Sequence, residues 1–367
     1  MIHTDGVARE LIKLGHEVYV IIQDSRDAPQ LFDPPYNIVR LPGGTYSFLG
    51  QIAFIFYLFF HFRLNNYDVI HDKNPFSSVL PAFFSRTRSK VIYDVRGLWI
   101  DFGIHSGYIP SFLSSFLWAV DLWCLKKADK VIAISFELKN ELMKRGLNEE
   151  HIKVIVGAGV AFEEIQILEP MDIRENLGIN GKLVGYVGGI DRSRNSENIV
   201  KAFKYVHEDI DSAKLILIGP VVEKDFFLDL VENLSLSKNV YFTDFLPHKD
   251  ALCFMKSFDV AISYHEGDFP FFNVAVPNKI LEYLSTGCCI VTTDHKMYKN
   301  LLKHDFNGYL TKQNVKDFAR GIITVLNDES IANKLKSNTI SSVKKYSFRN
   351  ISIDIINIYE EMFNKNE

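Results

Sequence analysis

The stretch Pro277 to Asp294, PNKILEYLSTGCCIVTTD, decides the reading of this chain. It predicts a helix that begins just after Pro277, which presets φ for a first turn, and that stops at Gly287, which supplies the positive φ of a C-terminal cap. A buried strand of small and β-branched residues follows at once. Ile280, Leu281 and Leu284 form the apolar stripe, while Asn278 and Glu282, four apart, share the other face. The N-terminus of such a helix carries unsatisfied N–H groups and partial positive charge, with Lys279 beside it, so it suits an anion such as a diphosphate. Glu282 adds an acceptor one turn in, about where a ribose joined to that diphosphate would lie. The same features also describe an ordinary βαβ helix with a polar face.

Outward from this stretch, strands and helices alternate. Strands are predicted at 183–187, 214–218, 240–243 and 260–263, with helices at 197–207, 226–233 and 250–257 between them and one from 314 to 327 beyond. In the first half, a helix at 2–14 precedes strands at 17–22, 37–41, 67–71, 90–95, 128–134 and 153–156. Ser135 is placed to cap a helix at 136–145. This alternation implies parallel, doubly wound sheets with function at the C-terminal ends of the strands. The acidic, irregular segment 161–181, with Pro170, reads as a linker. The expected domains are therefore 1–162 and 163–345, with 346–367 completing the first. The loop 186–198, YVGGIDRSRNSEN, follows a strand and opens a helix. Gly188 and Gly189 let backbone approach a phosphate, and Arg192 and Arg194 bring guanidinium forks suited to a diphosphate. The loop lacks G-x-G-x-x-G spacing, so it is not a dinucleotide fingerprint.

Composition excludes several classes. The 367 residues are 47% hydrophobic and 23% charged with a net charge of −4, which describes a soluble globular protein without a nucleic-acid groove. Cys124, Cys253, Cys288 and Cys289 form no CxxC pair and read as reduced core residues of a cytoplasmic protein, with no zinc. The opening MIHTDG is polar and does not read as a signal peptide. The longest apolar run, 52–60, is far short of the ~20 residues that span a bilayer. Aromatic residues crowd it, from Phe48 to Phe62. A helix buried against a sheet accounts for it, and the sharper alternative is an interfacial helix docked on lipid.

The pattern P-x-K-x-x-E-Y-L-x-x-G followed by an apolar strand resembles the nucleotide-sugar-binding helix of glycosyltransferase family 4, the group 1 glycosyl transferases. The resemblance implies the GT-B fold, an α/β arrangement of two Rossmann-like doubly wound domains facing a cleft, with the last helix (352–363) crossing back to the first domain. It implies a UDP- or GDP-linked sugar donor, no further cofactor and no metal. The acceptor would be a glycan or a lipid-linked glycan, with retention at the anomeric carbon. On that basis the donor is bound by Gly188, Gly189, Arg192, Arg194, Asn278, Lys279 and Glu282. Arg194 aligns with the family's loop lysine. Val274 stands where many members carry a first glutamate, seven residues before Glu282. Glu266 and Asp268 are candidate substitutes. RGLWID (96–101) resembles the R-D-L-W-P-E loop of surface-polysaccharide transferases, with Gly97 and Ile100 as departures. Arg96, Trp99 and His71 are thereby acceptor-side candidates, and Asp101 and His105 join Glu282, Arg194 and Lys279 in the expected catalytic set.

The segment VARELIKLGHEV matches the family's first helix, but the usual first strand and glycine-rich loop do not precede it, so a late start or a truncated chain is expected. Asp209-Ile210-Asp211 has a metal-binding form but falls on the wrong side of the sheet. Two other readings stand beside the transferase: a non-catalytic partner subunit, which Val274 and Gly97 favour, and a nucleotide-sugar 2-epimerase. The expected location is cytoplasmic, with peripheral contact at the inner face of the membrane.

Overall fold

The computed structural model describes residues 2–24, 34–42, 48–171, 173–174 and 178–364. The chain divides into two units, one formed by Met1–Gly159 with Phe348–Glu367 and the other by Val160–Ser347. The divisions expected after 162 and 345 fall after 159 and 347.

Unit 1 opens with helix Ile2–Lys13 and a parallel pair, β1 (Tyr19–Asp24) and β2 (Asn37–Pro42). A separate four-stranded parallel sheet follows, in the order β3 (Val69–Asp72), β4 (Lys90–Val95), β5 (Lys130–Ala133) and β6 (Ile152–Val154). β5 is buried along its whole length and β4 along all but its first residue, the near-continuous apolar runs of parallel strands covered on both faces. Ser135 caps helix Phe136–Lys144, its hydroxyl accepting the Leu138 N–H. Two helices lie where none was assigned: Trp99–His105, on the motif expected to be a loop, and Ser114–Lys127. The terminal helix Phe348–Asn364 belongs to this unit. Its Phe348 ring lies against both Gly6 and Gly159. A Cβ would come within 2.4 Å of the ring at the first and 2.5 Å at the second, so neither position admits a side chain.

The aromatic helix Phe48–Leu64 buries Phe54, Leu58 and Phe62 but leaves Phe56 61% and Phe60 43% exposed. The buried reading holds for one stripe of it only. No helix among the described residues is long and apolar enough to cross a membrane.

Unit 2 is built on one six-stranded parallel sheet in the order β12-β11-β10-β7-β8-β9. These strands are β7 (Leu183–Val187), β8 (Lys214–Ile218), β9 (Val240–Phe242), β10 (Val260–Ser263), β11 (Cys289–Thr293) and β12 (Tyr309–Thr311). From β7 the chain adds β8 and β9 on one side, then crosses over to add β10, β11 and β12 on the other. The direction therefore switches between β7 and β10, whose register pairs Val184 with Val260 and Gly185 with Ala261. In open α/β sheets the crevice beyond the strand ends at such a switch is where ligands bind. Helix Pro270–Asn273 interrupts what was expected to be a long loop, and helix Phe162–Gln166 occupies part of the expected linker. All four cysteines are buried thiols.

Candidate functional site

The signature helix spans Asn278–Thr286, with Pro277 as its N-cap and Gly287 at φ 76° as its C-cap. Ile280, Leu281 and Leu284 are fully buried. Tyr283 is buried too, and its hydroxyl has a role that periodicity does not reveal. It accepts the Val187 N–H at 2.8 Å and donates to the Ile262 carbonyl at 3.4 Å. One phenol thus ties the helix to the ends of both β7 and β10, fixing the helix N-terminus beside the switch point. Tyr186, on β7, does a similar job for the loop, donating from its hydroxyl to the Gly189 carbonyl at 3.0 Å.

The expected donor residues partly converge there. Lys279 Nζ sits 3.9 Å over the Tyr186 ring, and a Cβ on Gly188 would lie 2.9 Å from that ammonium. A Cβ on Gly189 would meet Arg194 Nη1 at 2.2 Å. Gly188, at φ 141°, and Gly189 therefore leave the space into which two cations reach, a cradle that any side chain would fill. Asp191 holds Arg194 in place by a 3.0 Å ion pair and caps the short turn with its other oxygen. Arg192 does not join them. It is exposed, with Glu197 at 3.6 Å and Glu223 at 4.0 Å, and stacks over Phe226. Asn278 is exposed in the first turn of the helix. Glu282 receives a partner that sequence did not suggest, His248 Nε2 at 2.8 Å, and this hydrogen bond raises the histidine's pKa.

The two carboxylates considered as substitutes at Val274 are both engaged. Glu266 accepts from Asn198 at 3.0 Å and from the Tyr264 hydroxyl, and Asp268 pairs with Lys296 at 3.0 Å. Val274 itself is buried. Asp211 is fully exposed, and no group of three or more metal-ligating side chains is found among the described residues.

In unit 1 the acceptor-side candidates separate into two sets. Arg96 donates from Nε to Asp94 at 2.9 Å, from Nη2 to the same carboxylate, and from Nη1 to the Gly157 carbonyl at 2.9 Å. His71 lies 3.4 Å from Asp94 through Nε2 and accepts from the Tyr359 hydroxyl at Nδ1, 2.8 Å away. His3 completes the cluster, its Nε2 accepting from Arg96 Nη2 at 2.6 Å and its Nδ1 donating to the Ala158 carbonyl. Burial pushes the Asp94 pKa up, but Arg96, His3 and His71 together hold it well below the usual carboxylate range. Burial lowers the His3 pKa to about 4. Lys73 donates to Thr4 at 3.2 Å, and burial with the Arg96 charge brings its pKa to about 8. Trp99 and Asp101 lie outside this cluster: Trp99 reaches Asp121 at 3.4 Å and Asp101 reaches Arg145 at 3.4 Å. Arg96 and Asp101 do not pair with each other. His105 is exposed at the end of helix Trp99–His105.

Both units resemble known proteins. The sequence model of "Glycosyl transferases group 1" matches residues 171–342, and that of "Glycosyltransferase Family 4" matches residues 2–157. An uncharacterized glycosyltransferase of Methanocaldococcus jannaschii is 25% identical over 98% of this chain and 93% of its own length. The capsular polysaccharide biosynthesis glycosyltransferase CapM of Staphylococcus aureus is 21% identical over 99% and 94%. Among solved structures, Anabaena HepE in complex with UDP and glucose superimposes with a TM-score of 0.76 at 18% identity, over 98% of this chain and 95% of that one. With the group 1 model matching its second unit, the family 4 model matching its first and the GT-B architecture of its structural neighbours, the chain is a glycosyltransferase.

Proposed function

We propose that this glycosyltransferase moves a sugar from a nucleoside-diphosphate donor, UDP-linked in the first instance, to a glycan or lipid-linked acceptor, without a metal and with retention. One observation carries the reading: Gly188, Gly189, Arg194 and Lys279 meet at the switch point of the unit 2 sheet, beside the N-terminus of helix Asn278–Thr286. Two cations and backbone N–H groups around a glycine cradle suit a diphosphate. The same groups would stabilise the negative charge that grows on the diphosphate as the anomeric bond breaks. Glu282, held by His248 through one oxygen, has its other oxygen for a ribose hydroxyl. The binding of UDP and glucose by HepE supports the base and the donor class, and the name of CapM supports a surface-polysaccharide acceptor.

Unit 1 is assigned the acceptor, with the Arg96–His71–His3 cluster at the ends of β3 and β4 as its polar wall. Peripheral contact with the cytoplasmic face of a membrane fits its surface. Residues 48–127 hold eight Lys and Arg against five Asp, in a chain of net charge −4. Helices Phe48–Leu64 and Val79–Ser85 expose Phe56, Phe60, Phe83 and Phe84, with Arg86, Arg88, Lys126 and Lys127 exposed at their margin. Aromatic residues rimmed by cations suit an anionic lipid interface.

The test is calorimetric titration of UDP, GDP and their common sugar conjugates into the wild type, Lys279→Met and Arg194→Ala. Each lost charge-assisted hydrogen bond is expected to weaken binding ~10-fold or more. A wild-type protein that binds neither nucleotide refutes the donor reading.

A further inference from the structure

His265 lies two residues past the end of β10, one of the two strands that form the sheet's switch point. Its backbone is held on both sides by one hydroxyl. The His265 N–H donates to Thr293 Oγ1 at 3.1 Å, and that hydroxyl donates to the His265 carbonyl at 2.6 Å. The imidazole is 8% exposed and packs against Phe272, with ring centroids 4.9 Å apart, and near Tyr298. In this enclosure its buried Nδ1 has no hydrogen-bond partner among the described residues. Neighbouring His295 shows the contrast. Its Nδ1 accepts the Met297 N–H at 3.2 Å and its Nε2 donates to the Gly267 carbonyl at 3.0 Å, so both nitrogens serve the fold.

A buried polar atom without a partner is a cost, and a phenyl ring in the same place would avoid it. The position makes sense if a ligand supplies the partner. The charges within reach are those of Lys279 and Arg194, the two cations of the glycine cradle; together with burial, the larger cause, and His295 they lower the His265 pKa to about 3. A neutral imidazole among cations is matched to an anionic ligand by donating its N–H.

We propose that His265 is a further ligand of the donor, its Nδ1–H donating to a diphosphate oxygen that Lys279 and Arg194 also contact. This rests on the donor reading above. It makes His265 a third, uncharged donor to the leaving group, contributed by the loop after β10, the strand paired with β7 across the switch point.

The experiment titrates UDP and GDP into the full chain as wild type, His265→Phe and His265→Asn, and records melting of each without nucleotide. The Asn amide nitrogen sits about where the imidazole Nδ1 does. The phenylalanine variant is expected to melt no lower than wild type and to bind UDP ~10-fold or more weakly, the effect of one hydrogen bond to a charged group. The asparagine variant should bind within about threefold of wild type, its amide replacing the same donor. Equal binding by all three proteins overturns the proposal, as does equal loss in both variants, which would show that ring shape matters and the N–H does not. A wild type that binds neither nucleotide overturns the donor reading itself, and this proposal with it.

Discussion

Asp94→Asn tests the polar cluster of unit 1 most directly. The Asp94 carboxylate is 1% exposed and accepts from Arg96 Nε and Nη2, with His71 Nε2 at 3.4 Å; the Arg96 side chain is 18% exposed. Asparagine keeps the shape and one acceptor oxygen for Arg96 but removes the charge, and its NH2 takes the place of the buried Oδ1, which has no partner among the described residues. Breaking one side of a buried ion pair costs about 3–5 kcal/mol, because the other charge stays buried. A unit charge pair ~4 Å apart at an effective dielectric constant of ~20 gives a similar figure, about 4 kcal/mol. For a unit of this size each kcal/mol shifts melting by roughly 2–4 °C, so a fall of about 6–20 °C is expected. All three tryptophans, Trp99, Trp118 and Trp123, lie in unit 1, so their fluorescence reports that unit alone. Adding Arg96→Met removes the stranded charge and should recover at least ~1 kcal/mol. A single variant within ~1 kcal/mol of wild type, or a double variant whose losses simply add, would refute the buried-pair argument.

The His3 pKa, lowered by burial to about 4 against 6.5 in a free chain, makes unit 1 acid-sensitive. The unfolded chain gains a proton as pH falls below 6.5 while the folded one does not, so stability is full above 6.5 and is lost down to about 4. The loss reaches ~3 kcal/mol; urea unfolding followed by tryptophan fluorescence at pH 7.5 and 4.5 should show it, and His3→Gln should flatten it. His248→Ala, which frees Glu282, is expected to weaken UDP binding ~3-fold and to cost nothing further once Glu282 is alanine, a double-mutant cycle readable by calorimetry. Phe56→Ser with Phe60→Ser and Phe84→Ser should abolish co-sedimentation with vesicles containing phosphatidylglycerol while leaving UDP binding intact. Unchanged sedimentation would remove the membrane reading.

Much of unit 2 was legible because its strands are apolar runs with polar or glycine ends. The residues expected for the strands at 183–187, 214–218 and 260–263 are those observed. The signature helix was equally plain, since proline and glycine mark both its ends. Helix Trp99–His105, read as a loop from its resemblance to R-D-L-W-P-E, contains Gly103. In the structure the Ile109 side chain takes the space of its missing Cβ, so packing explains the glycine. The site was less legible than the fold. Sequence placed both Arg192 and Arg194 at the donor, with Arg194 in the lysine position, and the positions of Gly189 and Phe226 show that Arg192 turns away. The sequence reading gave no role to Tyr283, which is not one of the stripe residues, or to His265. Their roles depend on partners far away in sequence, at Val187, Ile262 and Thr293, which no local pattern encodes.

Phe348 has a bearing on the order in which the molecule is made. Its ring closes on Gly6 and Gly159, so a residue from near the start of the chain, one at the unit boundary and one from the last helix meet in a single contact. Unit 2 is a continuous segment whose two ends adjoin, the Val160 N–H donating to the Tyr346 carbonyl at 3.1 Å, and it has all its strands once residue 311 has been synthesised. The first segment of unit 1 precedes unit 2 on the ribosome, yet the unit cannot finish until helix Phe348–Asn364 emerges after it. Its early helices, with their exposed aromatic faces, must wait through the synthesis of nearly two hundred residues. A nascent chain of this design has its longest exposure to chaperones, and to self-association, in the half that starts first.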